Sequence, residues 1–122
     1  MDNAGFKIDL SYLKDVASGS DEFMIDMIDL FLDQTPTYFD QMEQYIQEEM
    51  WSKVADIAHK IKPTLAFMGV DSAKESMAEI EQNARNLKDI ETILPAFSAL
   101  KAMTKDLYAE LARVKAELQS AS

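Results

Sequence analysis

Apolar and semi-apolar residues recur along this chain at alternating steps of four and three, the spacing of a helix with one face turned to a core. The longest such stripe is Met24, Ile28, Phe31, Thr35, Tyr38, Met42 and Tyr45. It predicts a helix over roughly 20–47, capped by Ser20, with Asp21 and Glu22 matched to its positive end. Pro36 removes one backbone donor inside it, which predicts a kink. Trp51, Val54, Ala58, Ile61, Leu65 and Met68 predict a helix over 51–68 that stops at Gly69. Ala73, Met77, Ile80, Ala84 and Leu87 predict another over 71–87, capped by Asp71. The last stripe is Ile93, Phe97, Leu100, Thr104, Leu107, Leu111, Val114 and Leu118. It predicts a helix over 90–118 capped by Asp89, with Pro95 tolerated only in the first turn. Ahead of these, Leu10, Leu13 and Val16 suggest a short helix from Asp9, its cap, to Val16, broken by Ser18-Gly19-Ser20. Residues 1–8 read as a lead-in, and the tail after 118 as fraying.

Four long amphipathic helices with short connections predict an all-α, antiparallel four-helix bundle, with the additional short N-terminal helix covering one end. A length of 122 residues fits a single domain over 1–122, and a hydrophobic share of 48% is enough for one continuous core. Three Gly and three Pro leave the helices few interruptions. The net charge of −10 argues against nucleic acid and against an anionic membrane surface. With no cysteine, disulfides, thiolate metal sites and Cys nucleophiles are excluded. No apolar run approaches the roughly 20 residues that span a bilayer, and Met1 to Gly5 carries no signal-peptide pattern. A cytoplasmic, monomeric protein is the expectation, free-standing because it starts at Met1 without a linker.

One residue changes this picture. His59 is the single histidine, and it lies one step round from the core stripe, on the boundary face of the third predicted helix. Its helical neighbours are Ala55, Lys62, Pro63 and Ala66. Two alanines and a proline predict a low surface around the ring that a partner could approach. Lys60 and Lys62 bring positive charge to an acidic chain, and Lys62 is the natural counter-ion for an anionic group on the imidazole. Pro63 cannot donate to the His59 carbonyl, so the helix is expected to bend there, with the Thr64 hydroxyl a candidate to compensate. A lone histidine on a helix is also an ordinary boundary residue, and spacing alone does not separate the two readings.

The segment Ala58-His59-Lys60-Ile61-Lys62, with Gly69 ten residues after the histidine, resembles the His-x-x-Lys core of histidine phosphotransfer (HPt) domains of bacterial two-component phosphorelays. Phe31 to Phe39 resembles that family's proline-containing first bundle helix, Trp51 begins the histidine helix as in the family, and Glu81 resembles the carboxylate or amide that orients the ring. Pro63 departs from the pattern, since the family most often has glycine there. Both residues lack a protruding flexible side chain, but proline changes the helix geometry. The resemblance implies a four-helix bundle in which His59 takes a phosphoryl group on Nε2 from a receiver-domain aspartate and passes it to another receiver. Glu81 would hold Nδ1–H; Lys62 and Lys60 would support the charge; Ala55, Pro63, Ala66 and Gly69 would shape the docking surface. It implies receiver domains and a hybrid histidine kinase as partners, no cofactor or metal on this chain, and Mg²⁺ on the receiver.

Other classes fit less well. A histidine kinase module needs a glycine-rich ATP loop, and Gly5, Gly19 and Gly69 are scattered. A di-iron bundle needs Glu-x-x-His pairs on two helices, and one histidine cannot supply them. A non-catalytic adaptor bundle, in which His59 is incidental, remains the alternative.

Overall fold

The structure is a computed structural model and describes residues 8–121. Its elements are α1 (Ser11–Ala17), α2 (Asp21–Gln47), α3 (Trp51–Phe67), α4 (Asp71–Asn86), a 3₁₀ turn (Ile90–Thr92) and α5 (Ile93–Ala121). The fold is all-α, with no strand among the described residues. Short connections make successive long helices antiparallel. α2 packs on α3, α3 on α4 and α4 on α5, and α5 returns to α2, which closes the four-helix bundle. The Phe39 and Phe97 rings, 5.7 Å apart, tie α2 to α5 across the core.

The short helix covers the end of the bundle where α3 turns into α4. Leu13 and Ala17 of α1 are buried, and the Tyr12 ring meets Phe67 of α3 edge-on at 5.5 Å. The Asp9 N–H donates to the Gly69 carbonyl at 3.1 Å. Val16, expected in the α1 stripe, is exposed, and Ala17 takes its place. The lead-in lies outside the described residues up to residue 7. The tail does not fray after 118, because α5 continues to Ala121.

The α2 stripe follows a different path from the one expected. The buried positions are Met24, Ile28, Phe31, Thr35, Phe39, Met42 and Ile46, while Tyr38 and Tyr45 are half-buried. Strict alternation of four and three averages 3.5 residues per turn. A helix of 3.6 residues drifts off that line, and over six steps the drift moves the seam by one residue. Pro36 and Pro63 lie inside α2 and α3 without ending either helix.

The caps divide. The Ser20 hydroxyl accepts from the Phe23 N–H at 3.1 Å, as a serine N-cap should. Asp9 acts one residue further upstream than expected. Its carboxylate accepts from the Ser11 N–H at 2.9 Å, and Leu10 occupies the cap position. Asp71 is the first residue of α4 and not its cap; Val70 takes that place, and no side chain completes the cap. Asp89 does not cap α5. It sits left-handed at φ +50°, and its carbonyl accepts from the Thr92 N–H at 2.9 Å, which makes the 3₁₀ turn. α5 therefore begins at Ile93, and Pro95 falls in the first turn, where its missing donor costs nothing. Leu87, counted in the α4 stripe, is 64% exposed because it ends the helix in a left-handed conformation.

Candidate functional site

Small residues build the floor of the site. Ala55 and Ala58 on α3 and Ala84 on α4 are all buried. Their size lets two helices approach closely, and α3 with α4 is the most extensive helix pair in the bundle. Close approach brings Glu81 of α4 against the exposed edge of α3. One Glu81 oxygen, Oε2, lies 2.9 Å from His59 Nδ1; the other, Oε1, accepts from Lys62 Nζ at 2.8 Å. Arg85, one turn further along α4, donates to Asp56 Oδ1 at 3.0 Å and stands 3.6 Å from Glu81 Oε2.

The electrostatics fix the histidine tautomer. Partial burial alone would raise the Glu81 carboxyl. The hydrogen bond and charge of Lys62, and then those of His59, outweigh it, so the net position is below the ordinary value of 4.5. An ionised carboxylate only accepts, so the proton of a neutral His59 sits on Nδ1. Nε2 then carries the lone pair. The His59 side chain is 69% exposed, against 13% for Glu81. The ring is thus clamped from below and open above. It borders a depression of about 370 Å³ shared with Lys62, Pro63, Ala66 and Lys74.

A family model for the Hpt domain matches residues 26–119. The chain belongs to the Hpt domain family. Searches of curated proteins and of solved structures found no match. Hpt domains carry phosphoryl groups on histidine in two-component phosphorelays and exchange them with response-regulator receiver domains. They are carriers without a catalytic site of their own.

Within this Hpt domain the expected site residues separate into two groups. His59, Lys62, Glu81, Pro63 and Ala66 come together. Ala55 does not form docking surface; it is fully buried because α4 covers that side of α3. Lys60 does not join the phosphate side either. One residue is about 100° of helix, so its ammonium reaches the other way, to the Tyr38 ring of α2 at 5.3 Å. Gly69 lies ten residues along, at the end of α3, and serves the turn. The Gly69 N–H donates to the Ala66 carbonyl and the Val70 N–H to the Leu65 carbonyl, both at 3.0 Å, with Gly69 at φ +77°. A Cβ there would overlap the Asp9 backbone. Thr64 does not compensate the His59 carbonyl; its hydroxyl donates to Ile61 O at 2.6 Å.

Sequence reading missed Arg85 and Lys74. Arg85 is four residues after Glu81, a visible ion-pair spacing. Nothing in the chain marks Lys74, which reaches the site only through the register of α4 against α3. Beyond Pro63 lies an apolar groove of about 300 Å³ between α2 and α3, lined among others by Met27, Leu30, Tyr38 and Phe67. Among the described residues no group of acidic, His or Cys side chains is arranged to hold a metal, and no helix is long and apolar enough to cross a membrane.

Proposed function

We propose that His59 is the phosphoacceptor of a phosphorelay, taking a phosphoryl group from the aspartate of one receiver domain and passing it to another. The observation that carries this reading is the Nδ1 clamp. Glu81 holds the Nδ1 side at 2.9 Å while the ring stays largely exposed, so the Nε2 lone pair faces an incoming phosphoryl group. In the forward step that lone pair forms the N–P bond as the P–O bond to the donor aspartate breaks. The electron pair of the broken bond leaves with the carboxylate. The Nδ1 proton stays in place, and Glu81 offsets the positive charge of the resulting phospho-imidazolium. In the return step a second receiver's carboxylate attacks phosphorus, and the imidazole leaves with its pair. The work of the site is positioning and charge stabilisation.

In this reading the chain acts as a carrier and brings no cofactor, and Mg²⁺ belongs to the receiver. A hybrid histidine kinase carries the upstream receiver. The protein works in the cytoplasm as a monomer, without nucleic acid or membrane. The receiver's apolar ridge seats in the α2–α3 groove, which Pro63 joins to the His59 depression. The test is incubation with phosphorylated receivers, with His59→Gln as control. Acid-labile, base-stable label on the wild type alone is expected. Label that persists in His59→Gln would sink the assignment, and an unlabelled wild type would favour the adaptor reading.

A further inference from the structure

The depression beside His59 has a second cation that the steps above do not use. Lys74 stands in the first turn of α4 and lines the depression together with His59, Lys62, Pro63 and Ala66. It is exposed and makes no ion pair among the described residues. The other nearby cations are committed. Lys62 is held by Glu81 at 2.8 Å, and Arg85 lies between Asp56 at 3.0 Å and Glu81 at 3.6 Å. Lys62 and Arg85 therefore balance Glu81 and Asp56, and this set offers no net charge to an anion. A phosphoryl group brings a charge of about −1.5 to −2 to a chain whose formal net charge is already −10.

Swinging Lys62 to the phosphoryl group would strip the mostly buried Glu81 of its shortest hydrogen bond. A poorly solvated carboxylate resists that loss. Lys74 gives up no partner by turning its ammonium into the depression.

We propose that Lys74 is the phosphoryl-binding cation of this site, pairing with the phosphoryl oxygens on His59 Nε2 while Lys62 stays on Glu81. The inference rests on the reading of His59 as phosphoryl carrier. Lys74 makes and breaks no covalent bond and gives up no proton, so the balance of the transfer step is unchanged. It acts as a point charge on the equatorial oxygens in the bound and transferring states.

The test uses the whole chain with Lys74→Gln, Lys74→Glu and Lys74→Arg. Uptake of label from a phosphorylated receiver and loss of label from isolated phosphoprotein are followed at low and high salt. A parallel arm phosphorylates His59 chemically with phosphoramidate and records the ³¹P resonance, so no receiver is needed. Lys74→Gln should slow uptake about fivefold at low ionic strength, on the order of one exposed charge pair. The deficit should shrink towards twofold or less near 0.5 M salt, because the charge is solvent-screened. Lys74→Glu should be slower still, Lys74→Arg should recover most of the rate, and the ³¹P resonance should move in the Gln and Glu variants. Melting temperatures should stay unchanged.

Wild-type rates and an unmoved ³¹P resonance in Lys74→Gln would overturn the role of Lys74. So would a deficit that persists at high salt together with a lowered melting temperature, which marks a structural effect. A wild type that no receiver labels would overturn the carrier reading instead, and the phosphoramidate arm would still report whether Lys74 meets the phosphoryl group.

Discussion

At His59 the governing detail is that Glu81 is a carboxylate and not an amide. Two donors converge on it, the Nδ1–H of His59 on Oε2 and Lys62 Nζ on Oε1. A glutamine offers one acceptor oxygen and turns its NH₂ toward whichever donor is left. Glu81→Gln should therefore free Lys62 or loosen the ring, and destabilise the fold by about 1–2 kcal/mol at pH 7. The pH dependence has a definite sign. Glu81 titrates below its ordinary value of 4.5 in the folded state, so its contribution is present above that value and is lost as pH falls through the lower folded-state position. Wild type minus Glu81→Gln stability, followed by urea unfolding, should be present from pH 7 to about 5 and narrow below it as the carboxylate is protonated. A difference that widened below about pH 5 would contradict the ion-pair account. The histidine, its lysine and this carboxylate were all legible in the sequence, as a helical spacing joined to a family resemblance. Ala55 and Lys60 face elsewhere than expected, and Lys74 was not singled out. The direction of Lys60 follows from its phase on α3, whereas the burial of Ala55 and the reach of Lys74 depend on how α4 lies on α3, which no single-helix pattern encodes.

Helix endings decide more at the scale of the element than helix interiors do. α2, α3 and α4 all finish with a left-handed residue: Glu49 at φ +57°, Gly69 at φ +77° and Leu87 at φ +54°. Around Glu49 the backbone bonds match those at Gly69. Its N–H donates to Ile46 O at 3.0 Å, and the Met50 N–H donates to Tyr45 O at 2.9 Å. Glycine is at ease in that conformation, whereas a residue with a Cβ gives up about 1–2 kcal/mol. Glycine's extra freedom in the unfolded chain returns about 0.5–1 kcal/mol of that. Glu49→Gly and Leu87→Gly should each stabilise the protein by about 0.5–1 kcal/mol, since both side chains are exposed. Gly69→Ala should act in the opposite direction by about 2 kcal/mol or more, because its Cβ would also overlap the Asp9 backbone and pry α1 from the α3–α4 turn. Thermal melts of the three variants check the signs together; a destabilised Glu49→Gly would mean the turn is held by something other than backbone preference. The helices themselves were readable because their periodicity is strong over many turns. Their ends were read less well, since Glu49 and Leu87 carry none of the usual stop signal and Asp71 and Asp89 look like caps but are not. The α2 seam slipped for another reason, the small mismatch between 3.5 and 3.6 residues accumulating over six steps.

For the molecule as a whole the dominant quantity is charge, with 22 acidic residues against 12 basic. Among the described residues five of the cations sit in ion pairs: Lys62 with Glu81, Arg85 with Asp56 and Glu81, Lys101 with Glu43, Arg113 with Glu110 and Glu117, and Lys115 with Asp29. Glu22, Asp26 and Asp33 line the solvent side of α2 with no ion pair among the described residues. Salt acts on both populations in opposite directions. It weakens the exposed pairs, each worth at most about 1 kcal/mol and often far less. It also screens the long-range repulsion of the surplus negative charge, which is concentrated when the chain is compact and diluted when it unfolds. Spreading ten charges over a sphere of this size gives a folded-state repulsion that falls by about 4 kcal/mol between roughly 10 mM and 150 mM salt, as the Debye length shortens from about 30 Å to 8 Å. The pairs together lose less than half of that, so repulsion wins. The melting temperature should rise by a few degrees over this range, in sodium chloride at pH 7. Sodium sulfate stabilises by exclusion from the surface as well, so chloride is the cleaner probe. A melting temperature that fell with added chloride would mean the local pairs outweigh the surplus charge, and that the acidic face of α2 contributes little to the balance of the fold.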